Sequence, residues 1–132
     1  MLVVRKRDEA FEVADVDLPV PNPTEGVVYT IRPLPKQVRD EITARHTKKE
    51  LNQYTRRMEP VTDANAATYD SLDYVVLDWR GIVWSDGTPL ACTKEHKFEY
   101  LDQARQVALL NKAGLLQAAV EETTAESFRQ PA

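Results

Sequence analysis

Three side chains of the sequence have the chemistry of metal ligands or of a nucleophile: His46, Cys92 and His96. Cys92 and His96 are four residues apart, so they could form a thiolate–imidazole pair or two ligands of one ion. A structural zinc site, however, uses four ligands, usually with paired cysteines, and Cys92 is the only cysteine. The better interpretation is that Cys92 is a small buried thiol and that His46 lies on the apolar side of a helix.

The sequence also lacks the motifs of a catalytic triad and of a phosphate-binding site. No third group for a catalytic triad is recognisable, and the four glycines form no phosphate-binding loop. Acidic residues are plentiful, so acid–base catalysis by a pair of carboxylates stays open as an alternative. We expect no catalytic residues, no metal and no cofactor, and we predict that the protein is not an enzyme.

The charge distribution bears on nucleic-acid binding. Residues 32–57 carry eight basic and three acidic side chains, whereas residues 58–93 carry one basic and six acidic side chains. Acidic residues interrupt the basic segment, no aromatic residues alternate with it, and the whole chain has a net charge of −4. We therefore predict no nucleic-acid partner, and instead internal pairing or a protein partner of matching polarity.

Length and composition fit one globular domain spanning residues 1–132. Hydrophobic residues make up 42% and charged residues 29% of the 132 residues, as expected for a folded chain with one modest core. No apolar run is long enough to cross a bilayer, and Met1–Asp8 is too short for a signal peptide. We expect a cytoplasmic protein without a membrane partner.

The chain divides into three predicted parts. Residues 1–31 are predicted to be a β or extended element: Leu2–Val4 could begin a strand, Phe11 and Val13 alternate weakly, and Val27–Ile31 is the best strand. Residues 35–122 are predicted to be a helical body, and residues 123–132 a disordered tail. The expected fold class is α+β but predominantly helical, with three to four helices packed around one core.

Within the helical body, apolar spacing and capping residues suggest the boundaries. The first helix should open at Pro35 and continue, with an offset near Thr47, through Leu51, Tyr54 and Met58 to a stop at Pro60. The second should be capped by Thr62 or Asp63, carry its apolar stripe to Trp79 and end at Gly81. Thr93 should cap the next helix, with a bend or break possible at Gly114.

Two tryptophans, Trp79 and Trp84, lie close together in the segment that leads out of the second helix. Ser85–Thr88 is a turn signal, so this stretch is either a very small hairpin or an ordered loop. Trp79 is expected in the core, because it completes the helical stripe. Trp84 is expected either to anchor the loop or to face a partner, since aromatic side chains recur at the centres of interfaces.

This segment carries a resemblance to a known family. Asp78-Trp79-Arg80-Gly81-Ile82, then Asp86-Gly87-Thr88-Pro89-Leu90 and a threonine before a helix, is similar to a pattern in the tail assembly chaperones of tailed bacteriophages. Upstream, Ile31-Arg32-Pro33-Leu34 leading into a charged helix is also similar. The resemblance covers residues 27–120 and rests on pattern and order. The proline-rich stretch 19–23 and the alanine- and leucine-rich end depart from it.

The resemblance implies a role and a location. Such chaperones are non-enzymatic, and they act in the host bacterial cytoplasm. They bind the tape-measure protein, and they keep its apolar helices soluble while tail-tube proteins assemble around it. A helical protein can cover such helices by helix-in-groove packing. On this basis the expected partner-binding residues are Trp79, Arg80, Ile82, Trp84 and Leu90, and a homo-oligomer is possible. The alternative is a structural tail-completion or connector component of the virion.

Overall fold

A computed structural model of the protein describes the backbone of residues 10–129 and the side chains of residues 10–121. The described strands are β1 (Phe11–Ala14), β2 (Val28–Ile31), β3 (Thr47–Asn52), β4 (Arg57–Thr62) and β5 (Val76–Arg80). The described helices are α1 (Lys36–Arg45), α2 (Ala64–Val75), α3 (Lys94–Glu99) and α4 (Gln103–Arg129), with a short 3₁₀ turn at Asp15–Asp17. The strand expected to begin at Leu2–Val4 lies outside the described residues.

β1, β2 and β5 form an antiparallel sheet with β2 in the centre. The sequence of β2 is β-branched and aromatic, which suits a pleated surface. The predicted strand at Val27–Ile31 is therefore confirmed. Tyr29 and Ile31 of β2 are both almost fully buried. The weak alternation at Phe11 and Val13 also corresponds to a strand.

The predicted predominantly helical body around one core is wrong. The described residues form an α+β fold in which five strands make two separate sheets and four helices are interspersed between them. Two segments that were predicted as helix, one around Leu51 and one ending at Trp79, are strands. Both errors come from apolar residues at spacings of three and four, which a strand can carry when its faces are not strictly alternating.

The first of these corrections concerns the hairpin β3–β4, where a continuous helix to Met58 was expected. α1 ends at Arg45, and the chain then turns back on itself so that Leu51 pairs with Met58. The Asn52 side chain accepts hydrogen bonds from the amides of Tyr54 and Thr55, which starts the turn. Pro60 does not stop a helix here but lies in β4, an edge strand, where a missing amide donor is tolerated.

The second correction concerns the end of α2. Asp63 caps the start of α2 by accepting a hydrogen bond from the Ala66 amide, as predicted. The helix ends at Val75, however, and the next five residues form β5, with Val76 opposite Ile31. Val75 and Val76 at this boundary are β-branched, and such residues favour a strand. Gly81 therefore follows a strand rather than a helix.

The C-terminal helices differ from the prediction in extent. Thr93 caps α3 by accepting a hydrogen bond from the His96 amide, as predicted. α3 stops at Glu99, and α4 then runs unbroken past Gly114 to Arg129. The described backbone of the expected disordered tail is therefore helical as far as Arg129, and residues 130–132 lie outside the described residues.

One cluster of buried apolar side chains joins the three-stranded sheet to the helices. Its fully buried members are Ile31, Leu72, Val75, Val76, Leu109 and Ala113. Within this cluster α2 packs against both β5 and α4, and Ile82 and Leu90 of the segment that follows β5 also belong to it. The hairpin β3–β4 contributes no side chain to the cluster.

A buried carboxylate ties the sheet to α4. Asp15 has no exposed surface and accepts hydrogen bonds from the Thr24 amide, the Tyr29 hydroxyl and the Arg105 guanidinium. Burial raises the pKa of Asp15, but these hydrogen bonds and the charge of Arg105 outweigh it, so the pKa lies below its ordinary value. The two Arg105–Asp15 hydrogen bonds are both 2.9 Å long, which holds the start of α4 against the 3₁₀ turn.

Candidate partner-binding surface

The segment from Gly81 to Leu90 connects β5 to the approach of α3, and a glycine sets its direction. Gly81 has φ of +87°, and a Cβ at this position would overlap the backbone carbonyl of Gly26. Only glycine fits here without a backbone shift. At the far end, the Leu90 amide donates to the Ile82 carbonyl at 2.9 Å. The segment therefore folds back on itself as a small closed loop.

The tip of this loop is the turn predicted at Ser85–Thr88. Val83 and Pro89 form an antiparallel bridge, and the Trp84 amide donates to the Thr88 carbonyl at 2.7 Å. The Asp86 carboxylate accepts a hydrogen bond from the Thr88 amide at 2.9 Å. Hydrogen bonds from Thr88 lower the pKa of Asp86, so this exposed carboxylate stays ionised at neutral pH.

Two of the five predicted partner-binding residues lie in the core. Trp79 and Leu90 are both buried, and the Trp79 indole Nε1 donates to the Leu90 carbonyl at 2.7 Å. This agrees with the expectation that Trp79 is a core residue. Both side chains support the loop from beneath, and neither faces solvent. The spacing of the tryptophans in the sequence does not reveal this hydrogen bond, because it joins residues eleven apart.

Ile82 and Arg80 lie at the margin of the core. Ile82 is half-buried and packs against the core cluster. Arg80 is exposed and forms an ion pair with Glu12 of β1, with Nη1 3.1 Å from Oε1. Because both side chains are largely in water, this pair adds little to stability. Arg80 is therefore available to a partner, whereas Ile82 shapes the edge of the loop.

Trp84 is the predicted partner-binding residue that joins a larger exposed feature, which we call the aromatic patch: Val83, Trp84, His96 and Tyr100. The Trp84 ring packs edge-on against Tyr100, with centroids 5.3 Å apart, and against His96 at 6.0 Å. His96 and Tyr100 are 5.3 Å apart and close the group. Val83, Trp84 and Tyr100 remain 55%, 41% and 48% exposed. Contiguous exposed apolar side chains of this kind mark interaction sites.

The sequence reasoning missed Tyr100, and it considered His96 only as a metal ligand or as the partner of a thiolate. One sequence signal could have identified both residues. Side chains four apart lie next to each other on a helix, and Tyr100 follows His96 by four positions at the end of α3. His96 Nδ1 also lies 2.8 Å from the Ala91 carbonyl, which fixes the ring beside Trp84. The role of His96 here is thus to support an aromatic surface.

A surface depression of about 360 Å³ adjoins the aromatic patch. Its lining includes Val83 and Tyr100 of the patch and the polar residues Asp102 and Arg105. Arg105 also donates to Asp102 at 2.6 Å. The lining therefore combines apolar and polar side chains, and the depression can accept a side chain with an apolar body and a polar end.

The charge around the patch is negative. Lys94 and Lys97 of α3 are held by aspartates of α2, Lys94 by Asp70 at 2.7 Å and Lys97 by Asp73 at 3.2 Å. Hydrogen bonds from Lys94 and His46 lower the pKa of Asp70 to about 2, against a smaller effect of burial. With both lysines paired in this way, the acidic residues Asp86, Glu95 and Glu99 remain beside the patch, and the described residues provide no ion-pair partner for them.

The three side chains that could have done chemistry have different surroundings in the structure. His46 Nε2 lies 2.6 Å from Asp70, whereas His96 belongs to the aromatic patch. Cys92 is half-buried, and burial raises the pKa of its thiol to about 11, so it is a poor nucleophile at neutral pH. Among residues 10–121, no three His, Cys, Asp or Glu side chains are grouped so that they could hold a metal ion.

Comparisons of the chain with known protein families, with curated proteins and with solved structures found no match. None of the helices in the described part of the chain is both long and apolar enough to cross a membrane.

Proposed function

We propose that the protein is a non-enzymatic tail assembly chaperone of a tailed bacteriophage, which acts in the host bacterial cytoplasm. Its partner would be the tape-measure protein, with the tail-tube protein as a second partner during assembly. The observation that carries this proposal is the aromatic patch, because three exposed apolar side chains are held together there by a rigid loop and a capped helix.

The aromatic patch also lies where the resemblance is strongest. The Asp78–Leu90 pattern corresponds to the end of β5 and the closed loop, so the residues that resemble the chaperone family flank Val83 and Trp84 and support the loop side of the patch. An amphipathic helix of a tape-measure protein offers apolar side chains at spacings of three and four. These can cover Val83, Trp84 and Tyr100 together. The charged residues around the patch keep the contact reversible.

Co-expression tests this proposal directly. Wild-type protein, produced with a fragment of the tape-measure protein from the same phage, should keep the fragment soluble and co-purify with it. Trp84→Ala should weaken the complex by roughly 30-fold, since truncating a central aromatic anchor costs about 2 kcal/mol or more. Isothermal titration with the purified components measures the loss.

Leu115→Ala is the matched control, because Leu115 is also an exposed apolar residue but lies on α4 away from the patch. It should bind as wild type does, and circular dichroism should show that both variants are folded. If the tape-measure fragment stays insoluble with wild-type protein, or if Trp84→Ala and Leu115→Ala bind equally, the proposal is wrong.

A structural tail-completion or connector protein is the second candidate, and the hairpin β3–β4 favours it. Both faces of this hairpin are exposed, as in arms that contact neighbouring subunits of an assembly. Mass spectrometry of purified particles separates the two candidates. A chaperone should be scarce or absent in the virion, whereas a connector should be present at a fixed stoichiometric copy number.

A further inference from the structure

The hairpin β3–β4, which we call the arm (residues 47–62), has exposed apolar side chains and no buried residue in either strand. Leu51 and Met58 are cross-strand neighbours, and they are 61% and 59% exposed. Tyr54 lies in the turn at the tip and is 99% exposed. An isolated two-stranded hairpin is only marginally stable in water, so an arm of this kind gains most from a partner surface.

The arm and the aromatic patch have opposite charge. The arm carries four basic residues and two acidic ones. Lys49 lies on the same face of the arm as the Leu51–Met58 pair, because side chains two apart share a face and cross-strand partners are opposite each other. Lys48 and Arg57 lie on the opposite face with both acidic residues of the arm, so the face of the Leu51–Met58 pair has Lys49 and no acidic residue. The patch, by contrast, has Asp86, Glu95 and Glu99 beside it.

We propose that the occupant of the aromatic patch in the free protein is the arm of a second copy of this chain. Each copy then has two exposed apolar surfaces, one basic and one acidic, and the basic surface of one copy complements the acidic surface of the next. This inference is independent of the proposed function, because it depends only on the two surfaces of the chain itself.

Tyr54 is the anchor of this contact. Its side chain is 99% exposed, and only its backbone is held, by a hydrogen bond from the Tyr54 amide to the Asn52 side chain. The depression beside the patch is lined by Val83 and Tyr100 and by the polar residues Asp102 and Arg105. A tyrosine ring inserted there can pack against Tyr100 and Val83 and offer its hydroxyl to the polar lining residues. Leu51 and Met58 then cover Trp84.

The proposed contact is heterologous, since the two surfaces that meet are different. A dimer formed in this way leaves one free arm and one free patch, so association continues until a ring closes or an open chain grows. A symmetric dimer, in which each copy uses the same surface, is a different arrangement and predicts different results when variants are mixed.

Two single variants test the contact from its two sides. Tyr54→Ala removes the anchor of the arm, and Val83→Arg places a positive charge in the patch without disturbing the backbone bridge to Pro89. Analytical ultracentrifugation of the full chain should show concentration-dependent oligomers for the wild type. Each variant alone should be monomeric, with self-association weakened by at least tenfold.

The decisive measurement mixes the two variants. The arm of Val83→Arg is intact, and so is the patch of Tyr54→Ala, so an equimolar mixture should form a dimer and nothing larger. Tyr54→Phe keeps the ring and should retain most of the association. Val107→Arg, a matched substitution of an exposed valine on α4, should associate as the wild type does.

Three results would overturn the inference. The first is a wild-type chain that stays monomeric at all concentrations tested. The second is a mixture of the two variants that remains monomeric although both are folded by circular dichroism, since the intact arm of one variant would then fail to bind the intact patch of the other. The third is a Val107→Arg variant as monomeric as Val83→Arg, because a general effect of charge would then explain both.

Discussion

The three-stranded sheet and the arm are both antiparallel, but they differ in what covers them. In the sheet, Tyr29, Ile31 and Val76 are almost completely buried under the helices. In the arm, no strand residue is buried, and the apolar Leu51–Met58 pair faces solvent. The sheet therefore draws its stability from packing, whereas the arm depends on its turn and on its cross-strand pairs.

This difference predicts which substitutions should change the stability of the whole protein and which should change its association. Changes at the sheet and its supports should alter the free energy of unfolding of the whole protein, because the core is shared. Changes in the arm should leave global stability nearly unchanged and should act on association instead. The predictions below test this division, beginning with the largest expected effect.

Replacing the buried carboxylate should have the largest effect. Asp15→Ala leaves the Tyr29 hydroxyl without its acceptor and removes two hydrogen bonds of Arg105, which keeps Asp102 and the Asn22 carbonyl. Removing one member of a buried ion pair costs about 3–5 kcal/mol, and we expect the lower end of this range because Arg105 keeps one carboxylate partner. Urea unfolding followed by circular dichroism measures the loss.

Asp17→Ala is the control, since Asp17 lies two residues away in the same 3₁₀ turn but is exposed. Its effect should stay within about 0.5 kcal/mol. Equal losses for Asp15→Ala and Asp17→Ala would mean that the buried ion pair does not hold the sheet to α4.

A leucine-to-alanine substitution should reduce stability much more in the core cluster than in the arm. Leu72 is fully buried in the core cluster, so Leu72→Ala should destabilise by about 2–5 kcal/mol through lost contacts and a cavity. Leu51 is exposed on the arm, so Leu51→Ala should change global stability by less than about 0.5 kcal/mol. Thermal and urea unfolding of both variants gives the two values. A loss above 2 kcal/mol for Leu51→Ala would show that the arm belongs to the cooperative core.

The sequence predicted the sheet better than the arm, and the reason is physical. Val28–Ile31 is rich in β-branched residues, and Asp63 and Thr93 are capping residues whose role is local, so these features could be identified from the sequence. Leu51, Tyr54 and Met58 have the spacing of a helix stripe, yet they share no buried face. Periodicity alone could not distinguish these cases.

The candidate site was predicted only in part for a related reason. The sequence identified Trp84 and the turn beside it, but Tyr100 joins the patch through the placement of α3, which is a tertiary feature. The Asp15–Arg105 pair links residues ninety positions apart, and no local pattern reveals it. Contacts of this range depend on the packed fold and not on residue spacing.

A second carboxylate, that of Asp70, should contribute to the loss of stability at acid pH. Hydrogen bonds from Lys94 and His46 lower the pKa of Asp70 to about 2 in the folded protein, below the ordinary value of 3.8. The unfolded chain therefore binds more protons as the pH falls below about 5, and stability declines toward pH 2. Asp70→Asn should be less stable than wild type at neutral pH, and this difference should shrink as the pH falls. Urea unfolding at a series of pH values measures it, and a constant difference would contradict the assignment.

The smallest expected effect comes from the tip of the arm, where Arg56 has a positive φ of 57°. A non-glycine residue in this region costs about 1–2 kcal/mol of local strain, and glycine would remove it. Glycine also gives the unfolded chain more freedom, at a cost of roughly 0.5–1 kcal/mol, so the two effects nearly cancel. Arg56→Gly should thus change global unfolding by less than about 0.5 kcal/mol.

Hydrogen exchange sharpens this last prediction, because it reports each element separately. Amides of β3 and β4 should exchange much faster than those of β2 in the wild type, since the arm opens without unfolding the core. Arg56→Gly should slow exchange only in the arm if relief of strain dominates there, and it should leave β2 unchanged. A parallel change in the arm and in β2 would mean that the two sheets unfold together. The exposure of the arm would then no longer indicate a surface that is free to dock independently of the core.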